Sequence, residues 1–110
     1  MKSRQARDPR YARDKFENAV YALAVGPGDV RSRLYSAFVE LLIVTPDDLP
    51  SSLRRRYRSV RSRLSKHEAR GREGRVLATL SRMRNATGAK IAKDIVTLYH
   101  QLDEYVQNSR

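Results

Sequence analysis

Apolar residues recur along this chain at steps of three and four, and no stretch alternates strictly enough for a strand. Ala12, Phe16, Ala19, Val20, Leu23 and Ala24 form the first such stripe. Asp8 before Pro9 supplies an N-cap and a proline at the first helical position, where the missing N–H has no partner to lose. The spacing predicts a first helix over Pro9–Val25, stopped by Gly26-Pro27-Gly28. Asp29 is placed to cap a second helix carrying Val30, Leu34, Ala37, Phe38, Leu41 and Leu42 on one face. Phe38 to Val44 is apolar except for Glu40, so this helix is expected to be the most buried. The short loop between the two predicts an antiparallel hairpin.

Thr45-Pro46-Asp47-Asp48 is another helix start, with two aspartates at the positive end of the dipole. Pro50 limits it to one turn, and a third helix begins afresh near Ser51 or Ser52. Leu49, Leu53, Tyr57, Val60 and Leu64 fall within a narrow arc, and Arg54, Arg55, Arg56, Arg58, Arg61 and Arg63 occupy much of the remaining surface. A loop framed by Gly71 and Gly74 follows. A fourth helix starts near Arg75 with Val76, Leu77, Leu80 and Met83 inward. A fifth carries Ile91, Ala92, Ile95, Leu98, Tyr99, Leu102 and Val106. The apolar phase runs on between them, but Asn85 and Thr87 are good caps, and Gly88 costs about 1 kcal/mol inside a helix. A break at Arg84 or Asn85 is therefore expected.

The pattern implies an all-α fold: one bundle of four or five helices over residues 9–107, preceded by a disordered basic tail at 1–8. The expected core is Phe16, Val20, Leu23, Leu34, Phe38, Leu41, Leu42, Leu53, Val60, Leu80, Ile91, Ile95, Leu98 and Leu102. A chain of 110 residues suits a single domain. The absence of cysteine excludes disulfides, a thiol nucleophile and cysteine-ligated zinc. No apolar run reaches the roughly 18 residues of a membrane span and no signal peptide opens the chain. A soluble cytoplasmic protein, without a membrane partner, is the resulting expectation.

Charge changes the picture most. Lys and Arg number 23 against 12 Asp and Glu, a net +11. Between Ser51 and Lys93 there are 14 basic and 2 acidic residues, so this segment holds the whole excess. Such a field attracts polyanions. Arg54, Arg55, Arg58 and Arg61 lie between about 80° and 200° from Leu53 around the helix, and they are the candidate anion-binding residues. No acidic residue stands between Ser51 and His67, so these charges are either solvated or met by an anion. Nucleic acid or an acidic protein would suit, and a homodimer is a further expectation. Aromatic residues are scarce on the polar face, which argues against single-strand stacking. The Leu77–Val96 region lacks the small residue and glycine at helix-turn-helix offsets.

Asp48-Leu49-Pro50 with Leu53, Tyr57 and Val60, then Glu73-Gly74-Arg75 before Ala78-Thr79-Leu80 and Met83, then Ile91-Ala92, Ile95-Val96 and Leu98-Tyr99, form a spaced pattern. It resembles a family of small uncharacterised bacterial all-helical proteins over roughly residues 14–102. The resemblance implies a bacterial helical fold and transfers no activity. Where the family has a serine-aspartate-glutamate helix start, this chain has Arg84, Asn85 and Ala86, which keeps a cap at Asn85 and loses the acidic turn. The family's counterpart of the third helix is also more acidic.

Catalytic chemistry is thinly represented. Arg61 and His67 have the spacing of the Arg-x(4–6)-His motif of HEPN-type ribonucleases, in which Arg would hold a phosphate and His would move a proton. With 18 arginines such a match arises easily by chance, and a histidine beside a helix end is favourable against the dipole. His100 sits beside Tyr99, and two isolated histidines make no metal site. Asp47 and Asp48 serve the helix start, adjacent Asp103 and Glu104 point to different faces, and the glycine loops lack the features of a P-loop. The expectation is a non-enzymatic binding module without cofactor or metal. The alternatives are a structural or adaptor protein acting through protein contacts and, last, a HEPN-like ribonuclease.

Overall fold

A computed structural model describes residues 8–67 and 74–109. The tail at 1–7, Gly71 and most of the loop before Gly74 lie outside the described residues. Five α-helices and one 3-10 turn account for the fold: α1 (Pro9–Val25), α2 (Val30–Leu41), the turn Pro46–Asp48, α3 (Ser51–Leu64), α4 (Arg75–Ser81) and α5 (Asn85–Asn108). The described residues hold no strand, and the all-α expectation is met.

Local chemistry explains the boundaries. The Asp8 carboxylate accepts from the Arg10 backbone N–H at 2.9 Å and starts α1. The Arg10 side chain beside it, together with that backbone bond, holds the Asp8 carboxyl down at about 2. Asp29 accepts from the N–H groups of Arg31 and Ser32 and starts α2. Thr45 and Asp48 close a capping box around the 3-10 turn, with the Asp48 carboxylate 2.9 Å from the Thr45 nitrogen. Asp48 is 1% exposed, so its role as a helix-start residue is also a buried one.

α1 and α2 form the expected hairpin, and α5 packs against both while α3 and α4 close the remaining side. Phe16, Leu34, Leu41, Tyr57, Val60, Ile91, Ile95, Leu98 and Leu102 lie at the centre. Each such side chain contributes roughly 1.5–3 kcal/mol by leaving water. Arg13 on α1 reaches Asp103 on α5 at 3.0 Å and ties the two across the core edge.

Four expectations are corrected. α2 is not the most buried helix: three of its 12 residues are buried, against four of seven in α4 and four of 14 in α3. α2 stops at Leu41, so Leu42 belongs to the turn that follows, and it is 54% exposed instead of in the core. Phe38, Val20 and Leu23 sit at the core's edge, half-buried. Leu77 is exposed because the seven-residue α4 turns Val76, Ala78, Thr79 and Leu80 inward.

The break between α4 and α5 falls where expected, but its chemistry differs. Arg84 is the N-cap of α5, no side chain caps it, and Asn85 is the first helical residue. Gly88 lies within the helix because α5 crosses α2 there. A Cβ at Gly88 would stand 2.9 Å from Val30 Cγ1 and 3.3 Å from Leu34 Cδ1. Alanine gains about 1 kcal/mol of helix propensity, but overpacking against stiff Val30 costs about 1–3 kcal/mol. Gly88→Ala is expected to lower the denaturation midpoint, and a raised midpoint would show that α2 and α5 can move apart freely.

Candidate anion-binding face

The charge pattern of α3 follows from helix geometry. At about 100° per residue, Leu53, Tyr57, Val60 and Leu64 centre the buried arc. Arg54 and Arg61 lie about 90° to one side of it, Arg56 and Arg63 about as far to the other, and Arg55 and Arg58 point away. Each group meets a different environment.

Arg54 and Arg61 fold over onto the neighbouring backbone. Arg54 Nε donates to the Leu49 carbonyl at 2.9 Å. Arg61 Nη1 donates to the carbonyls of Leu41 and Val44, each at 3.2 Å, and to the Tyr57 hydroxyl at 2.9 Å. The Tyr57 hydroxyl in turn donates to the Val44 carbonyl at 2.7 Å. These carbonyls belong to the end of α2 and the turn after it, where backbone acceptors lack helical partners and a cation is favourable. The Arg61 guanidinium also lies 5.8 Å from the Phe38 ring centroid and 5.6 Å from that of Tyr57. Burial pushes the Tyr57 hydroxyl above its ordinary pKa against the opposing pull of Arg61, so it stays a donor near neutral pH.

On the other flank, Arg63 pairs with Asp94 of α5, and Arg56 Nη1 donates to Gln101 Oε1 at 3.2 Å. Arg55 and Arg58 remain exposed, make no hydrogen bond or ion pair among the described residues, and share the outer face with exposed Ser59 and Ser62. The four sequence candidates therefore divide: Arg55 and Arg58 are open, while Arg54 and Arg61 are held by carbonyls. The sequence weighed solvent or an anion for these charges, and backbone carbonyls are the third possibility it did not contain. The signal for it was present, since a residue beside the buried arc reaches whatever the helix packs on.

Arg61 and His67 are not brought together. The Arg61 guanidinium faces the end of α2, whereas the His67 backbone N–H donates to Thr79 Oγ1 at 3.0 Å, and the histidine lines a cavity that Arg61 does not reach. His100 is exposed beside the Tyr99 ring. Among the described residues no three His, Cys, Asp or Glu side chains gather as a metal site, and no helix is long and apolar enough to cross a membrane.

Comparison with protein-family models, with curated proteins and with solved structures finds no match to this chain.

The geometry of α3 separates arginines that hold the fold from those left open. Arg61→Gln is expected to cost about 1–3 kcal/mol, because it strips a charged donor from buried carbonyls. Arg55→Gln and Arg58→Gln are each expected to change stability by no more than about 0.5 kcal/mol. Urea denaturation of the three variants checks this, and equal losses in all three would erase the distinction.

Proposed function

We propose that this protein is a non-enzymatic binding module that meets an anionic partner through the outer face of α3. The observation that carries the reading is the pair of unpartnered, outward arginines, Arg55 and Arg58, in a segment holding the whole positive excess of the chain. Arginine binds phosphate through a fork of N–H donors, and Ser59 and Ser62 add hydroxyl donors beside it. This face has no placed amide or carboxylate to read adenine or cytosine edges, and its arginines and serines would hold a polynucleotide chiefly by its backbone. An acidic protein surface satisfies the same charges.

A second reading, an adaptor acting through protein contacts, is favoured by one observation. Tyr35, Val39, Leu42 and Ile43 follow one another on the outside of α2 and its end, with Val39 49% and Ile43 55% exposed. Single exposed apolar residues are ordinary, but Tyr35 and Val39 stand one turn apart on α2 and Leu42 and Ile43 continue them just past its end, so the exposed apolar side chains are concentrated there. A homodimer through this face is one form of that reading. The ribonuclease reading finds no support in the separate settings of Arg61 and His67.

Salt dependence tests the leading reading. Each phosphate neutralised adds roughly 0.7 to 0.9 to the slope of log affinity against log salt. Arg55→Gln/Arg58→Gln should therefore lower the slope for a mixed-sequence oligonucleotide by about 1.4 to 1.8. The same preparation should show no turnover of single-stranded RNA, with or without divalent metal. An unchanged slope removes α3 from the interface, and cleavage lost in both His67→Ala and Arg61→Ala would reinstate the enzyme.

A further inference from the structure

A cavity of about 360 Å³ opens where the end of α3, the end of α4 and the start of α5 converge. This is within the range of about 300–1,000 Å³ usual for small-ligand pockets. Its charged lining comes from Arg63, Lys66, Arg82 and Arg84, with His67 beside them, and no carboxylate among the described residues lines it. Arg63 is already satisfied by Asp94. Among the described residues Lys66 and Arg84 make no hydrogen bond or ion pair, and both are exposed. Arg82 commits Nη1 to the Ala78 carbonyl at 2.9 Å and keeps its other donors.

Two features of the cavity favour an anion, and a third strengthens their effect. Lys66, Arg82 and Arg84 line one cavity with no carboxylate among the described residues on its wall, so an anion there meets three positive charges at once. Arg84 and Thr87 are the N-cap and third residue of α5, and no side chain caps that helix, which leaves its first N–H groups without acceptors. Met83 and Ile91 form an apolar floor, which weakens screening beneath the charges.

We infer that this cavity binds a phosphate monoester. Lys66, Arg82 and Arg84 neutralise its oxygens, and the N–H groups at the start of α5 together with the Thr87 hydroxyl complete the donor set. Several cationic donors from three directions suit a tetrahedral dianion better than a planar carboxylate, which two donors of one fork satisfy. Arg55 and Arg58 take no part, so this site stands apart from the outer face of α3. Its ligand is free phosphate or the terminal phosphate of a nucleotide or oligonucleotide.

Titration of the protein with inorganic phosphate, followed by amide NMR at constant ionic strength in chloride, provides the test. Saturable shifts are expected at Asn85, Ala86 and Thr87. Lys66→Gln/Arg84→Gln removes only exposed, unpaired side chains, so it should keep the fold and weaken phosphate binding by about tenfold or more. Arg55→Gln/Arg58→Gln should leave the titration unchanged. A parallel arm compares a 5′-phosphorylated short oligonucleotide with its 5′-hydroxyl form. Preference for the phosphorylated end assigns the site to polynucleotide ends, and saturation by inorganic phosphate without that preference assigns it to small phosphates. Shifts that grow linearly with phosphate, or that persist in the Lys66→Gln/Arg84→Gln protein, would overturn the site whatever the salt slope of the α3 variants.

Discussion

The end of α2 sets the arrangement of the molecule. The carbonyl of its last residue, Leu41, and that of Val44 in the turn beyond it face α3, and although the Val44 N–H reaches Leu41 at 3.0 Å, both accept further donors from α3. Tyr57 and Arg61 supply them from adjacent turns of α3, one donating from within the core and the other from its edge. The Tyr57 ring stands edge-on to Phe16 of α1, with centroids 5.4 Å apart. One aromatic side chain therefore touches α1, the end of α2 and the guanidinium that closes it. Without the ring a void would open there, and without the hydroxyl the Val44 carbonyl would lose its 2.7 Å donor and keep only Arg61.

This clasp fixes how α3 is turned about its axis, and the turn decides the fate of every arginine on it. With Tyr57 and Arg61 toward α2, Arg63 and Arg56 meet α5, while Arg55 and Arg58 face away. Structural arginines and candidate binding arginines thus come from one charged helix. The same rotation brings the end of α3 beside α4 and the start of α5, where Lys66 joins Arg82 and Arg84 around the cavity.

Much of this fold was legible in local chemistry. Asp8, Asp29 and the Thr45–Asp48 turn act at short range, so their caps and the helices they start could be read directly. What depends on a neighbour could not. Leu41 and Leu42 are chemically alike, and only the end of α2 decides that one is buried and the other exposed. Gly88 looks like a helix breaker until α2 is seen lying against it. The arginine stripe of α3 was legible as charge, but its division was not, because a guanidinium that meets a backbone carbonyl leaves no acidic partner in the sequence to betray it. The cavity at the start of α5 is still less legible, since its cations come from separate helices.

A double-mutant cycle on Tyr57→Phe and Arg61→Met measures the clasp directly, through the stabilities of the two single variants and the pair. Residues that share acceptors and bond each other should be coupled by about 1 kcal/mol or more, within the range of about 0.5–3 kcal/mol for one network. Losses that add to within about 0.3 kcal/mol would contradict it, because Tyr57 and Arg61 would then act on α2 independently.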